Sequence, residues 1–257
     1  MENQPMPDSA RQLLLYILML VLPTGVTADN NPQADNLHQA FDQVLKAAVD
    51  DGHVNYTLIK KDPRFKSYLQ ALKQARPENF NGEAEQLAFW INAYNALAIK
   101  GIIDGLSPSS FIGRISYFKT TEFEVAGREI NLYDLERDII IPFSEPRIHF
   151  AIVCASFSCP KLRPEAYTAS KLEQQLQENT LDFLNDPTKN NFDLKKKRAN
   201  LSKIFDWFKK DFKKHSGTVQ KYVANYVNDP ELREALMTEK FRIKHLKYQW
   251  TLNGSLE

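Results

Sequence analysis

The chain has 257 residues, 33 Lys and Arg against 32 Asp and Glu, and 43% hydrophobic residues. A formal charge of +1 gives no electrostatic footprint for nucleic acid or an anionic membrane surface. Clusters such as Lys195, Lys196, Lys197 and Arg198 read as solvated faces with acidic neighbours.

The first segment predicts a compartment. Residues 13–22 (LLLYILMLVL) form a ten-residue apolar run, followed by Pro23 and the small-residue pattern Val26-Thr27-Ala28. That is the layout of a cleaved secretory leader over 1–28. The run is short for a spanning helix, which needs about twenty residues, although an uncleaved anchor is the alternative. The leader carries Arg11 as its only side-chain cation, and no cysteine near residue 28 offers a lipid anchor. The mature protein is then expected to be periplasmic or extracellular, with no integral membrane domain once the leader is removed. A flexible N-terminus over 29–36 and a single domain over 37–257 follow, about 220 residues and enough to bury most of the apolar surface in one core.

Leu37, Phe41, Val44, Leu45 and Ala48 space out one helical face before Asp51-Gly52. A second helix should start at Pro63, burying Phe65, Tyr68, Leu69 and Leu72, and end before Pro77. Residues 83–103 then predict the central helix. Glu83 and Glu85 oppose the positive end of its dipole, and the sequence is apolar almost all round, which belongs in the middle of a core. Asn92 and Asn95 interrupt it. A buried amide must be hydrogen-bonded, so each either ties the helix to neighbouring backbone or, with Tyr94, lines a pocket.

Residues 122–126 and 128–132 alternate about Ala126-Gly127 and predict a hairpin; a short helix from 131 or 133 to 140 stops at Pro142. The β-branched and aromatic run 148–153 predicts a buried strand. Ser170 and Glu173 look like a capping box for a helix over 170–184. A second hairpin is expected at 192–194 and 199–201, with the lysines at its tip. Ser202 should cap a helix over 204–212, two helices follow at 218–226 and 230–236, and 241–252 closes the chain as a strand. This order predicts an α+β, helix-rich single domain whose long buried central helix packs on a small, mainly antiparallel sheet.

The chemistry concentrates in residues 149–160 (HFAIVCASFSCP), which hold both cysteines, a histidine and two serines. Four separated blocks also resemble the DUF547 family, a domain family without an assigned function. They are residues 87–97 (LAFWINAYNAL), 149–160, 201–212 (LSKIFDWFKKDF) and 248–253 (YQWTLN). Where the resemblance leads one to expect Asp-Ile-Glu-His, this chain has Asp134-Leu135-Glu136-Arg137, so a role for that histidine is not available here.

Two functions follow for the segment. One is a cysteine-dependent hydrolase or acyltransferase: Cys154 or Cys159 as nucleophile, His149 as base, Glu136 or Asn95 orienting it, and backbone amides near Ser156 and Ser158 binding an oxyanion. Papain-like and transglutaminase-like enzymes share a long helix before a sheet, but place the cysteine at the start of that helix, where this chain has Glu83. In one regular strand, moreover, His149 and Cys154 would face opposite sides. The alternative is a non-enzymatic ligand-binding or structural domain in which a Cys154–Cys159 disulfide presents 155–158 as a rigid edge. Asn92, Tyr94, Asn95, Ser156 and Ser158 are the candidate binding residues, for an unidentified small molecule or peptide. Zinc on Cys154, Cys159 and His149 lacks a fourth ligand, so no metal and no cofactor is assigned. His38, His53, His215 and His245 read as surface or helix-end residues, and Trp90, Trp207 and Trp250 as core.

Overall fold

The computed structural model describes residues 32–238 and 241–257. The expected leader over 1–28 lies outside the described residues. Helix α1 (Pro32–Ala48) begins inside the segment expected to be flexible, since proline needs no hydrogen-bond partner in a first turn. It buries Phe41, Val44, Leu45 and Ala48. His38 lies on the same face, against the surface reading: it is buried, its Nδ1 is 2.7 Å from the Tyr68 hydroxyl, and burial lowers its pKa to about 3.

The chain after α1 forms a miniature hairpin that periodicity did not reveal. Strands β1 (Val49–Asp50) and β2 (His53–Asn55) flank Asp51 and Gly52, whose φ angles of 43° and 81° are those of a type I′ turn. Helix α2 (Tyr56–Lys61) follows, capped by the Asn55 side chain. Helix α3 (Pro63–Gln74) starts at the expected proline under an Asp62 cap, and its Tyr68 ring stacks 4.8 Å from Phe41.

Helix α4 (Glu83–Ile103) is the predicted central helix. Nearly every side chain from Leu87 to Ile102 is buried, and large side chains such as Phe89 and Ile91 contribute about 1.5–3 kcal/mol each by leaving water. Helix α5 (Phe111–Ile115) runs into a π-helical turn, Ser116–Thr120. The predicted hairpin is present as β3 (Phe123–Val125) and β4 (Arg128–Ile130); the amides of Ala126 and Gly127 at its tip donate to the Leu72 and Lys73 carbonyls at the end of α3. The expected short helix is a single α turn, α6 (Leu132–Asp134), opening a π-helical segment, Leu135–Ile140.

Residues 148–153 are not a strand. Pro146 starts a 3-10 helix, Pro146–Phe150, capped by the Glu145 side chain, and the chain then turns irregularly to the cysteines. Its apolar residues fill the core without a neighbouring strand, a case of packing overriding propensity. Nor does Ser170 cap the next helix: a 3-10 turn, Ala169–Lys171, precedes α7 (Leu172–Asn185), and the Ser170 hydroxyl instead meets that of Thr168 at 3.3 Å.

Strands β5 (Asn191–Asp193) and β6 (Arg198–Leu201) pair antiparallel with lysines at the tip. The helix expected over 204–212 is split at Phe208 into α8 (Ile204–Trp207) and α9 (Lys209–Ser216). Helices α10 (Val219–Ala224) and α11 (Pro230–Met237) carry caps from Thr218 and Asp229. The closing segment is a strand only at β7 (Arg242–His245), parallel to β6. It then runs extended to β8 (Gly254–Ser255), parallel to β2. A Cβ on Gly254 would lie 1.9 Å from the Val54 carbonyl oxygen, so only glycine lets these backbones meet. The fold is α+β and helix-rich, with the strands of the described residues divided among three small sheets.

Two apolar clusters share this frame. One surrounds α4 and includes Ala151 and Cys159; the other joins α7, β6 and α8 to α11 and includes Phe150. Phe150 alone enters the second cluster here, flanked by Ile148 and Ala151 of the first.

Candidate functional site

A cavity of about 450 Å³ opens where the two clusters meet. Tyr94 of α4, the π-helical turn bearing Phe118 and Lys119, and the π-helical segment bearing Glu136 and Arg137 line it. Cys154, Cys159, Phe208, Tyr248 and Trp250 line it as well. Both π-helical segments of the described chain thus contribute, and such segments widen a helix where side chains must be re-aimed. Trp207 and Trp250, read from the sequence as core, wall this cavity with their rings 5.8 Å apart. Trp207 is 41% exposed.

Cys154 and Cys159 form a disulfide. Ala155, at φ 57°, curls the loop between them, and the C-terminal segment clamps it: the amides of Phe157 and Ser158 donate to the Thr251 and Gln249 carbonyls, and Asn253 N–H donates to Ala155. The Tyr248 hydroxyl is thereby set 3.1 Å from Cys154 Sγ and 3.3 Å from Cys159 Sγ. The Ser156 hydroxyl lies 3.0 Å from Cys154 Sγ and 3.4 Å from the Tyr248 oxygen. The backbone N–H of Cys154 donates to Cys159 Sγ at 2.9 Å.

Two ionisable centres border the same space. Glu136 is held at about 7, first by desolvation and then by the nearby Asp211 charge, with Arg137 opposing. Its charge is felt by Tyr94 and Tyr248, whose hydroxyls burial already pushes up. His149 is buried, stacked 3.9 Å from the Phe208 ring, and its Nε2 is 2.9 Å from an Asp211 carboxylate oxygen. Burial lowers the His149 pKa although Asp211 pulls the other way; the hydrogen bond to His149 in turn lowers that of Asp211. The neutral ring therefore donates Nε2–H to the carboxylate, and its buried Nδ1 is a bare lone pair with no hydrogen-bond partner.

The candidates named from the sequence separate into two groups. Tyr94, Glu136, His149, Cys154 and Cys159 line one cavity, with Ser156 behind the sulfurs. His149 and Cys154 share it because the segment between them is not a strand. Asn92 and Asn95 spend their amides on backbone: Asn92 pairs with the backbone carbonyl and amide of Tyr167, and Asn95 bonds the Ala151 carbonyl and the Val153 amide at 3.0 and 2.8 Å. Ser158 accepts from the Gln249 amide. Asp211 orients His149, a role the sequence reading gave to Glu136 or Asn95; it stood in the 201–212 block, but its distance of 62 residues from His149 left no local signal. Arg114, Trp207, Tyr248 and Trp250 were missed as site residues for the same reason. Among the described residues no group of three or more His, Cys, Asp and Glu side chains is arranged to hold a metal.

Residues 77–184 match the family described as a protein of unknown function, DUF547. The chain carries a DUF547 domain. The matched stretch contains α4, the cysteine loop and most of α7, so the DUF547 segment supplies Tyr94, Glu136, His149 and the disulfide. Asp211, Tyr248 and Trp250 come from chain beyond it. No curated protein and no solved structure matches the sequence.

Proposed function

We propose that this domain binds a small molecule with an apolar body and an anionic head group in the cavity beside the disulfide. The observation that carries this reading is the pairing of aromatic walls with cations held over rings rather than in ion pairs. Arg114 lies 4.8 Å over the Trp250 ring, Lys119 4.4 Å over Tyr133, and Arg137 5.5 Å over Phe208. Among the described residues none of the three is in an ion pair with a carboxylate. Rings hold a cation in place without neutralising it, which leaves the charge of Arg114 and Lys119 for a ligand, while Arg137 also stands in the field of Glu136 and Asp211. Phe111 in the cavity lining is 70% exposed and Ile112 next to it in sequence 78%, an apolar surface of the kind that marks binding sites. Glu136, protonated for part of the time near neutral pH, can donate to a carbonyl or hydroxyl of the bound molecule.

The test uses 8-anilinonaphthalene-1-sulfonate and dodecanoate, read by fluorescence of the probe and of Trp207 and Trp250. Saturable binding is expected, weakened about tenfold or more by Arg114→Ala, with dodecanol binding less tightly than dodecanoate. Equal binding of dodecanol and dodecanoate would defeat the anionic part of the proposal. Binding unchanged in Trp250→Ala would defeat the site.

A second reading, the thiol hydrolase or acyltransferase, is favoured by one observation: the bare Nδ1 of the His149–Asp211 pair belongs to a ring that lines the same cavity as both sulfurs. It requires reduced protein, because a disulfide sulfur has no thiolate to offer. A burst of p-nitrophenol from p-nitrophenyl acetate in reduced protein, lost in His149→Ala, is its expected sign; no difference between reduced and oxidised protein would end it. We also propose that the protein is exported, on the strength of the apolar run at 13–22 and a disulfide that suits an oxidising compartment.

A further inference from the structure

We propose that the Cys154–Cys159 disulfide is a thiol–disulfide exchange centre that oxidises apolar thiols entering the cavity. The inference uses the same cavity as the ligand reading but a different group in it, and the two are tested separately.

Exposed disulfides are the ones that tend to be labile or catalytic. This one lines a cavity and has donors on both sulfurs. Cys154 keeps part of its surface exposed while Cys159 is 5% exposed, so the two are unequal targets for attack. Cys159 Sγ receives the Cys154 backbone N–H at 2.9 Å and lies 3.3 Å from the Tyr248 hydroxyl. A disulfide sulfur is a weak acceptor, whereas a thiolate in the same place would gain two well-placed hydrogen bonds. Donors aimed at where charge develops lower the barrier to forming it.

The steps balance as follows. An incoming thiol loses its proton, and its thiolate attacks Cys154 Sγ. The new sulfur–sulfur bond forms as the Cys154–Cys159 bond breaks, and the electron pair leaves on Cys159 Sγ, held by the Cys154 N–H and the Tyr248 hydroxyl. A second thiol of the substrate class then attacks the mixed disulfide, releasing a substrate disulfide and the Cys154 thiolate. Two substrate thiols are oxidised, one protein disulfide is reduced, and the two protons end on the cysteines. Glu136, which lines the same cavity, is the carboxylate that can accept the first proton, and its pKa of about 7 suits that task near neutral pH. Recognition of the thiol falls to the aromatic walls, so the substrate class is a thiol on an aryl or long alkyl group.

The experiment follows reduction of the native, full-chain protein by benzyl mercaptan and by 2-mercaptoethanol at equal thiolate concentration, with N-ethylmaleimide quenching and intact-mass readout. Benzyl mercaptan is expected to react faster, and Tyr248→Phe to slow it about tenfold, the factor one lost hydrogen bond to a developing charge carries. Peptide mapping of early time points should place the benzyl adduct on Cys154. Circular dichroism is the check that Tyr248→Phe is folded; should it not fold, the adduct position and the benzyl preference still decide the matter in wild type. A disulfide that reacts only in urea, adducts on Cys159, or equal rates for the two thiols would each overturn the proposal. The anion-binding reading would survive any of them.

Discussion

Replacing Glu136 by Gln isolates the electrostatic cost of the cavity. The Glu136 carboxyl titrates at about 7 rather than at its ordinary 4.5. At ~1.4 kcal/mol per pKa unit, ionising it in the folded protein costs at most about 3.5 kcal/mol, and water in the open cavity screens that to about 1–2 kcal/mol. Between pH 4.5 and 7 the folded chain holds a proton that the unfolded chain has released, so stability falls as pH rises through this window and levels off above it. His149 acts in the opposite sense, because its folded pKa is lowered, but it is present in both proteins and cancels in their difference. Urea unfolding followed by tryptophan fluorescence should therefore find Glu136→Gln about 1–2 kcal/mol more stable than wild type near pH 8 and equal to it near pH 4. A difference that is the same at both pH values would refute the claim that Glu136 is desolvated in the wall.

Asn95→Ala should cost about 2–4 kcal/mol, since it strands a buried carbonyl on Ala151 and a buried amide on Val153; a urea midpoint shift with unchanged slope is the check. Replacing Cys154 and Cys159 together by alanine should lower stability by about 2 kcal/mol, the loop-closure entropy of so short a ring, measured against oxidised wild type. Gly254→Ala should detach β8 from β2 at a cost of about 1–3 kcal/mol, visible as faster hydrogen exchange at the Val54 amide, which donates to Asn253.

Elements whose register is written in periodic apolar residues were legible in the sequence: α4, the Ala126-Gly127 hairpin, the lysine-tipped hairpin and the proline start of α3. So was the cysteine segment as a place. What escaped depends on contacts distant in sequence. Tyr248 reaches the sulfurs from 94 and 89 residues away, and Asp211 reaches His149 across two helices. The run 148–153 misled because strand propensity reports a side chain's fit to a pleated surface, and here the same side chains fill two cores. His38 misled because a histidine on an apolar stripe has no sequence mark of the tyrosine that satisfies it. Trp207 and Trp250 sit in apolar segments, and nothing local distinguishes a ring that closes a core from one that walls a cavity.

The irregular backbone at 150–153 and the cavity share a cause. Phe150 is drawn into one cluster and Ala151 into the other, so this stretch of chain must run along the seam, where no strand lies beside it. Its buried polar groups still require partners. Side-chain amides provide them: Asn179 donates to the Phe150 carbonyl at 2.9 Å, and Asn95 serves the Ala151 carbonyl and the Val153 amide. An amide side chain satisfies one or two backbone groups and then stops, whereas a paired strand would continue past Val153 and draw the cysteines into a sheet. The ladder ends there, the C-terminal segment takes over at Ala155 to Ser158, and the disulfide is left between the two systems facing the gap. The asparagines of α4 and α7 therefore reach the site through the backbone they hold. Substituting them should disturb the disulfide's reactivity and the fold together, whereas Tyr248→Phe should disturb reactivity alone.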